Sequence, residues 1–159
     1  MNTLDVEDGV DVLDRGWLAD HGLIGRDETV APDELARLAA VREAIRELLL
    51  ANNGIQVDVA AATATLDEEA QRASLAVRFR PDATIGLEPA RAGAGGVAGR
   101  ILAQVAATLG TEGWRRLKAC RAPDCRWAFY DTARNRSRAW CSMDVCGNRA
   151  KARAFRARH

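Results

Sequence analysis

Four cysteines, the only ones in this 159-residue chain, have the spacing that best suits a chemical task. They form two pairs, Cys120 with Cys125 and Cys141 with Cys146, and four residues separate the members of each pair. Fifteen residues lie between the pairs, so each pair can present two thiolates to one tetrahedral ion. The spacing predicts one structural zinc ion, because four protein ligands leave no coordination position for water or substrate.

Other uses of the cysteines compete with this interpretation. Two disulfides would suit a secreted domain, but no apolar signal segment precedes the acidic N-terminal residues, so we expect reduced thiols. A catalytic thiol needs a histidine partner, and the chain has only His21 and the last residue, His159. Iron–sulfur ligation and four unrelated free thiols stay open as alternatives.

The residues around the cysteines form a specific pattern. They read Cys120-Arg-Ala-Pro-Asp-Cys125-Arg-Trp-Ala-Phe-Tyr-Asp131, and later Trp140-Cys141-Ser-Met-Asp-Val-Cys146-Gly-Asn-Arg-Ala-Lys151. This pattern resembles the CGNR zinc finger, a family named after the run that stands here at residues 146–149. The resemblance implies an N-terminal helical domain of the ABATE type and the function of a stress-induced transcriptional regulator that binds DNA.

Charge divides the chain into two parts of opposite sign. Residues 114–159 contain 13 Arg or Lys and three Asp, a net charge of +10, whereas residues 1–113 carry −9. A basic module beside an acidic one is typical of a protein that contacts a polyanion through one part only. Two internal uses of the positive charge stay open, namely neutralising four thiolates on zinc and docking on the acidic part.

The basic module offers two candidate surfaces for nucleic acid. One is the loop at 134–138, and the other is a final helix that begins near residue 148. On that helix three arginines share one face and Lys151 lies roughly opposite. Basic side chains suit phosphate contacts, and Asn148 could either read adenine or cap the helix. The predicted nucleic-acid ligands are Arg134, Arg136, Arg138, Asn148, Arg149, Lys151, Arg153 and Arg156.

The elements that must position these residues are mainly α, in an α+β arrangement. Apolar residues at helical spacing predict helices over residues 10–20, 32–53, 57–71 and 97–109. Residues 74–80 and 84–88 predict one β-hairpin whose apolar face lies against the helices. We place the boundary before Trp114, between a helical domain at 1–113 and a treble-clef-like four-cysteine zinc finger, ending in a basic helix, at 114–159.

The sequence also predicts the surroundings of several individual side chains. Arg42 lies beside the apolar stripe of its helix and should pair with an acid or extend along the edge, whereas Glu43, Arg46 and Glu47 are typical of a solvated face. Gly147 follows a ligand directly, which predicts a positive φ or a close N–H···S approach. The finger is small, so we expect four aromatic residues to pack round the metal: Trp114, Trp127, Phe129 and Trp140.

The first residues of the sequence bear on one element of the resemblance to ABATE domains. An Asn-Thr pair follows an apolar strand in ABATE domains; Asn2-Thr3 has no such strand before it, so we expect that strand to be incomplete here.

No apolar run approaches the roughly 20 residues that span a bilayer, which favours a cytoplasmic protein. Only two of the 23 basic residues are lysines, which is typical of a GC-rich bacterial genome. No nucleophile motif or histidine cluster stands out, so we expect no enzyme activity.

The hypothesis that unites these observations is a zinc-dependent, DNA-binding transcriptional regulator. Its finger would contact DNA, and its N-terminal domain would sense a small-molecule ligand or a protein partner. The alternative is a module that binds protein or RNA and uses zinc only for structure. The sequence leaves open the DNA site, the effector, the direction of regulation and whether the chain forms a homodimer.

Overall fold

The computed structural model describes residues 1–158; His159, weighed above as a partner for a catalytic thiol, lies outside them. The helices of the described chain are α1 (Arg15–Asp20), α2 (Pro32–Asn52), α3 (Val59–Arg72), α4 (Ala94–Thr108), α5 (Glu112–Arg116) and α6 (Asn148–Arg156). The strands are β1 (Leu4–Asp5), β2 (Val10–Asp11), β3 (Leu75–Phe79), β4 (Ile85–Pro89), β5 (Leu117–Ala119) and β6 (Ala128–Tyr130). Consecutive strands pair in three small antiparallel two-stranded sheets. Helices contain far more residues than strands, which confirms the predicted, mainly α class.

Helix α2 is the central element of the core, and α3, α4 and β5 pack on it. It begins at Pro32, where the missing N–H costs nothing, and the Glu34 carboxylate accepts the Ala31 N–H at 3.0 Å. It ends before Gly54, whose φ of +73° favours glycine. Its apolar stripe fills the core, so the predicted helix is confirmed. None of the helices in residues 1–158 is both long and apolar enough to cross a bilayer.

The predicted helix over 10–20 is wrong in its first half. Helix α1 begins only at Arg15, because the Asp14 side chain accepts the Trp17 N–H at 2.7 Å and caps it there. Val10 instead pairs with Asp5 in the short β1–β2 sheet, which the sequence analysis did not predict. Val10 is exposed, so its helical spacing from later apolar residues does not reflect packing against the core.

The predicted hairpin is confirmed as β3–β4, paired from Leu75 with Pro89 to Phe79 with Ile85. Its base packs closely on α4, since a Cβ added at Gly99 would come within 2.6 Å of the Pro89 Cβ. Its tip extends beyond this contact, and Phe79 is 84% exposed. The apolar face therefore lies against the helices only at its base.

The polar face of α2 makes contacts within the protein and Arg46 on it is buried, which contradicts the prediction of a solvated face. Arg46 is fully buried and donates to the carbonyls of Met1 and Arg126 at 3.0 and 2.8 Å. Glu47 pairs with the Arg126 side chain. Burial lowers the pKa of Arg46 below its ordinary value. Arg42 behaves as expected, since it pairs with acidic groups.

Candidate metal centre and basic helix

The four cysteine sulfurs lie together at one point of the fold. All four Sγ atoms are within 4.8 Å of one another. Two of the separations are close to the edge of a tetrahedron: Cys125 to Cys141 is 3.6 Å and Cys141 to Cys146 is 3.8 Å. Zn–S bonds of 2.3 Å would place tetrahedral sulfurs about 3.8 Å apart. The donor set and its geometry therefore fit a metal ion with four thiolate ligands.

Local structure brings each pair to this point. Cys120 follows β5, and its N–H donates to the Trp127 carbonyl at 2.9 Å, so β5 and β6 bracket the first pair. Arg126 turns the chain into β6 with a φ of +51°. The second pair spans a π-helical turn, Met143–Gly147, where the Ser142 hydroxyl accepts the Val145 N–H at 3.3 Å. A hairpin and a helix start thus supply two thiols each, as expected of a treble-clef-like finger.

Two of the four thiols, those of Cys141 and Cys146, have a raised pKa. Burial raises the pKa of Cys141 to about 12, and contact with the Cys125 sulfur adds to the shift. Burial also raises the pKa of Cys146. At neutral pH these two side chains are therefore neutral without a metal, and an ion must displace their protons to bind.

Gly147 is required for space and not for backbone conformation. Its φ is −63°, and its N–H donates to the Ser142 carbonyl, so both parts of the prediction are wrong. A Cβ at this position would come within 2.5 Å of the Met143 sulfur and 3.3 Å of the Trp140 ring. The glycine lets the π-helical turn close over these two side chains.

The aromatic residues surround the cysteines only in part. Phe129 and Trp140 pack against the buried cysteine cluster, as predicted, and the Arg138 guanidinium lies 5.3 Å from the Phe129 ring centre. Trp114 instead belongs to the core of the helical domain. Trp127 is 43% exposed, so it contributes little to this small core.

The arginines of the predicted basic loop differ in how far they are engaged. Arg138 donates to the Cys141 carbonyl at 2.8 Å, which ties the loop to the metal centre. Arg136 pairs with Glu112 at the start of α5. Arg134 is exposed and has no partner within residues 1–158. The structure therefore leaves one of the three arginines unengaged.

Helix α6 carries the other predicted ligands, and two of them form internal ion pairs. Arg149 lies 2.8 Å from the Glu7 carboxylate, and Arg153 lies 3.3 Å from that of Asp124. The Asn148 side chain donates to the Asp144 carbonyl at 3.1 Å, so it does not cap α6 as the sequence analysis allowed. The remaining two, Lys151 and Arg156, are exposed and have no partner in the described chain.

Two family models cover nearly all of the chain. The model of ABATE, described as "Putative stress-induced transcription regulator", matches residues 5–113, more than half of the sequence. The chain belongs to the ABATE family. The model of the CGNR zinc finger matches residues 116–159, which confirms the resemblance drawn from the cysteine region. None of the curated proteins matches the sequence.

The ABATE domain contacts the CGNR finger through Asn53, the residue that follows α2. The buried Asn53 amide donates to the carbonyls of Ala119 and Ala139 at 2.7 and 2.9 Å, which lie on both sides of the first cysteine pair. Arg121 donates back to the Asn53 carbonyl at 2.8 Å. In the sequence, Asn53 with Gly54 indicates only the end of a helix, and no local signal indicates these contacts.

A second contact between the ABATE domain and the finger involves Asn2, near the start of the sequence. The Asn2 side chain accepts the Ala128 N–H and donates to the Ala128 carbonyl, at 2.8 and 2.9 Å. The Asn2 amide therefore pairs with both backbone hydrogen-bonding groups of Ala128 in β6, as a residue of a neighbouring strand would. Helix α5 crosses the predicted domain boundary, and Trp114 lies in the ABATE core. These contacts fix the finger to the ABATE domain.

Proposed function

We propose that this protein is a zinc-dependent, DNA-binding transcriptional regulator whose CGNR finger contacts DNA. The observation that carries the proposal is the set of exposed cations on the finger that have no partner among residues 1–158: Arg134, Lys151 and Arg156. Unengaged cations on a module of net charge +10 are available for phosphate groups. A regulator of this kind would act in the bacterial cytoplasm, where the DNA is.

Zinc is the ion that the four-thiolate site fits best. Thiolates are soft ligands, and a closed tetrahedral set without a water position is typical of structural zinc. Cys120, Cys125, Cys141 and Cys146 would hold one ion, and the ion would join the β5–β6 hairpin to the start of α6. In this proposal zinc has no part in any reaction; it holds α6 in position.

The ABATE domain would supply the regulatory input. A cavity of about 270 Å³ lies between α1, α2 and α4, and it is lined mainly by apolar side chains and by Arg42. A cavity of this size could take a small apolar ligand. A thermal-shift screen of small metabolites, followed by DNA titration in the presence of each stabilising compound, tests this part of the proposal.

The main test is fluorescence anisotropy of zinc-loaded protein with random duplex DNA over a salt series. Contacts by about six basic groups predict a slope near −5 for log K against log salt. A Lys151→Ala, Arg156→Ala double variant removes two cations that pair with none of the residues described by the structure. It should flatten the slope by roughly two and weaken binding tenfold or more at 0.1 M salt.

A matched control separates the effect of these two positions on DNA binding from the effect of a lower net charge. The Arg26→Ala, Arg78→Ala double variant removes two exposed, unpaired cations from the ABATE domain, so it makes the same change in charge. It should leave the slope unchanged. Equal losses in both double variants, or no duplex binding at low salt, would contradict DNA contact by the finger and favour an acidic protein partner.

A further inference from the structure

The acidic turn, residues Asp5–Asp8, lies against the basic face of α6. Glu7 Oε2 is 2.8 Å from Arg149 Nη1, and the two side chains are 54% and 46% exposed. The two residues are 142 positions apart in sequence, so this contact joins the start of the ABATE domain to the last helix of the finger. Arg149 is also one of the predicted phosphate ligands.

The acidic turn is a built structure rather than a loose end. The Asp5 carboxylate accepts the N–H groups of Glu7 and Asp8 at 2.9 and 3.2 Å, which shapes the turn. Gly9 completes it with a φ of +68°. These bonds give the turn a defined shape that does not depend on the ion pair of Glu7.

The base of the turn is anchored to the core. The buried Arg42 donates to the Thr3 hydroxyl at 2.6 Å and to both oxygens of Asp11 at 2.8 Å, so it binds the start of β1 and the end of β2. The anchor is 8% exposed, whereas the contact at the tip is open to solvent. A fixed base with an exposed tip keeps negative charge near α6 and leaves the ion pair displaceable.

We propose that the acidic turn is an autoinhibitory contact, in which Glu7 competes with phosphate groups for Arg149. The inference rests on the proposed DNA-binding function. No Arg or Lys occurs before Arg15, so the turn presents negative charge alone. A phosphate at Arg149 would compete with Glu7 for the same guanidinium and would meet the negative charge of the turn.

The size of the effect follows from the exposure of the pair. Solvent-exposed ion pairs are weak and are screened by salt, so loss of the Glu7 carboxylate should raise DNA affinity about two- to fivefold at 0.1 M salt. A contact of this strength tunes binding without preventing it. Any event that moves the β1–β2 turn would then change the affinity of α6 for DNA.

A double-mutant cycle tests this competition in the full-length, zinc-loaded protein. Anisotropy on random duplex DNA compares wild type, Glu7→Gln, Arg149→Ala and the double variant. Glu7→Gln should bind two- to fivefold more tightly than wild type, and this gain should largely disappear in the Arg149→Ala background. Asp8→Asn is the matched control, because it removes one charge from the same turn and its side chain has no partner in the described residues.

The outcomes separate the two proposals. A gain from Glu7→Gln that exceeds the gain from Asp8→Asn and depends on Arg149 supports the autoinhibitory contact. Equal gains from the two variants, or a gain that persists without Arg149, would overturn it and leave DNA binding intact. Absence of duplex binding by all these proteins would overturn the proposed function, and the autoinhibitory contact with it.

Discussion

Lys118 Nζ lies 2.7 Å from Asp131 Oδ2, and both side chains are buried, at 6% and 0% exposure. Burial alone would raise the pKa of Asp131, but the Lys118 contact and backbone N–H donors outweigh it and lower that pKa. The carboxylate accepts the N–H groups of Ala133 and Arg138 at 2.9 and 3.0 Å. This pair therefore fixes both ends of the basic loop to strand β5.

Asp131→Asn should destabilise the zinc-loaded protein strongly. The substitution leaves the buried Lys118 cation without its counter-charge, and breaking a buried pair in this way costs about 3–5 kcal/mol. We expect a loss of this size in the free energy of unfolding, measured by urea denaturation at pH 7. Asp67→Asn, an exposed change on α3, should stay within about 0.5 kcal/mol of wild type.

The result for Asp131→Asn has a clear alternative. A loss below about 1 kcal/mol would show that Lys118 is solvated or neutral in the folded protein, contrary to the geometry. In the expected case the basic loop loosens as well, so amide exchange at Ala133 and Arg138 should become faster than in the Asp67→Asn control.

Local patterns predicted much of this fold, and contacts between distant residues account for most of the rest. The α2 stripe, the β3–β4 hairpin and the cysteine spacing are short-range signals, and each was found. The burial of Arg46 was missed because its acceptor carbonyls, on Met1 and Arg126, lie 45 and 80 residues away. A charged residue on a helix face is indistinguishable from a solvated one until that packing is known.

Asn53→Ala should weaken the joint between the ABATE domain and the finger. The change removes both hydrogen bonds and leaves the Ala119 carbonyl without this donor, whereas the Ala139 carbonyl keeps the Arg121 N–H at 3.1 Å. At about 1–3 kcal/mol for one unsatisfied buried group, we expect a fall of roughly 1–3 kcal/mol in unfolding free energy. Asn135→Ala in the exposed loop is the control, and a loss no larger than its own would refute the proposed joint.

Two helical glycines should respond to alanine in opposite directions. A Cβ at Gly99 would come within 2.6 Å of Pro89 Cβ and 2.8 Å of Ala73 Cβ, which are short, rigid side chains. Gly99→Ala should therefore destabilise by about 1–3 kcal/mol despite alanine's better helix propensity.

Gly113 provides the matched comparison. The nearest atom to a Cβ there is the Thr111 hydroxyl at 3.7 Å, so Gly113→Ala should stabilise by up to about 1 kcal/mol. Thermal unfolding of the two variants measures both effects. A stabilising Gly99→Ala would mean that the hairpin base does not pack on α4 as described.

Zinc affinity should fall steeply as the pH is lowered. The raised pKa values of Cys141 and Cys146 mean that both thiols are protonated in the metal-free protein throughout pH 6–8, so binding must release at least two protons. Each released proton costs a factor of about ten in affinity per pH unit. Competition with a chelator of known pH dependence should therefore show zinc binding weakening about 100-fold or more per unit.

Calorimetry can count the released protons independently. Zinc titrations in two buffers of different ionisation enthalpy should give two to four protons per ion at pH 7, because burial raises the pKa of two thiols and four thiols are available. Cys141→Ser removes one thiol whose pKa is raised, so the number should fall by about one and the affinity by orders of magnitude. Release of less than one proton by wild type would mean that the thiols are ionised before the metal arrives, against the burial that raises their pKa.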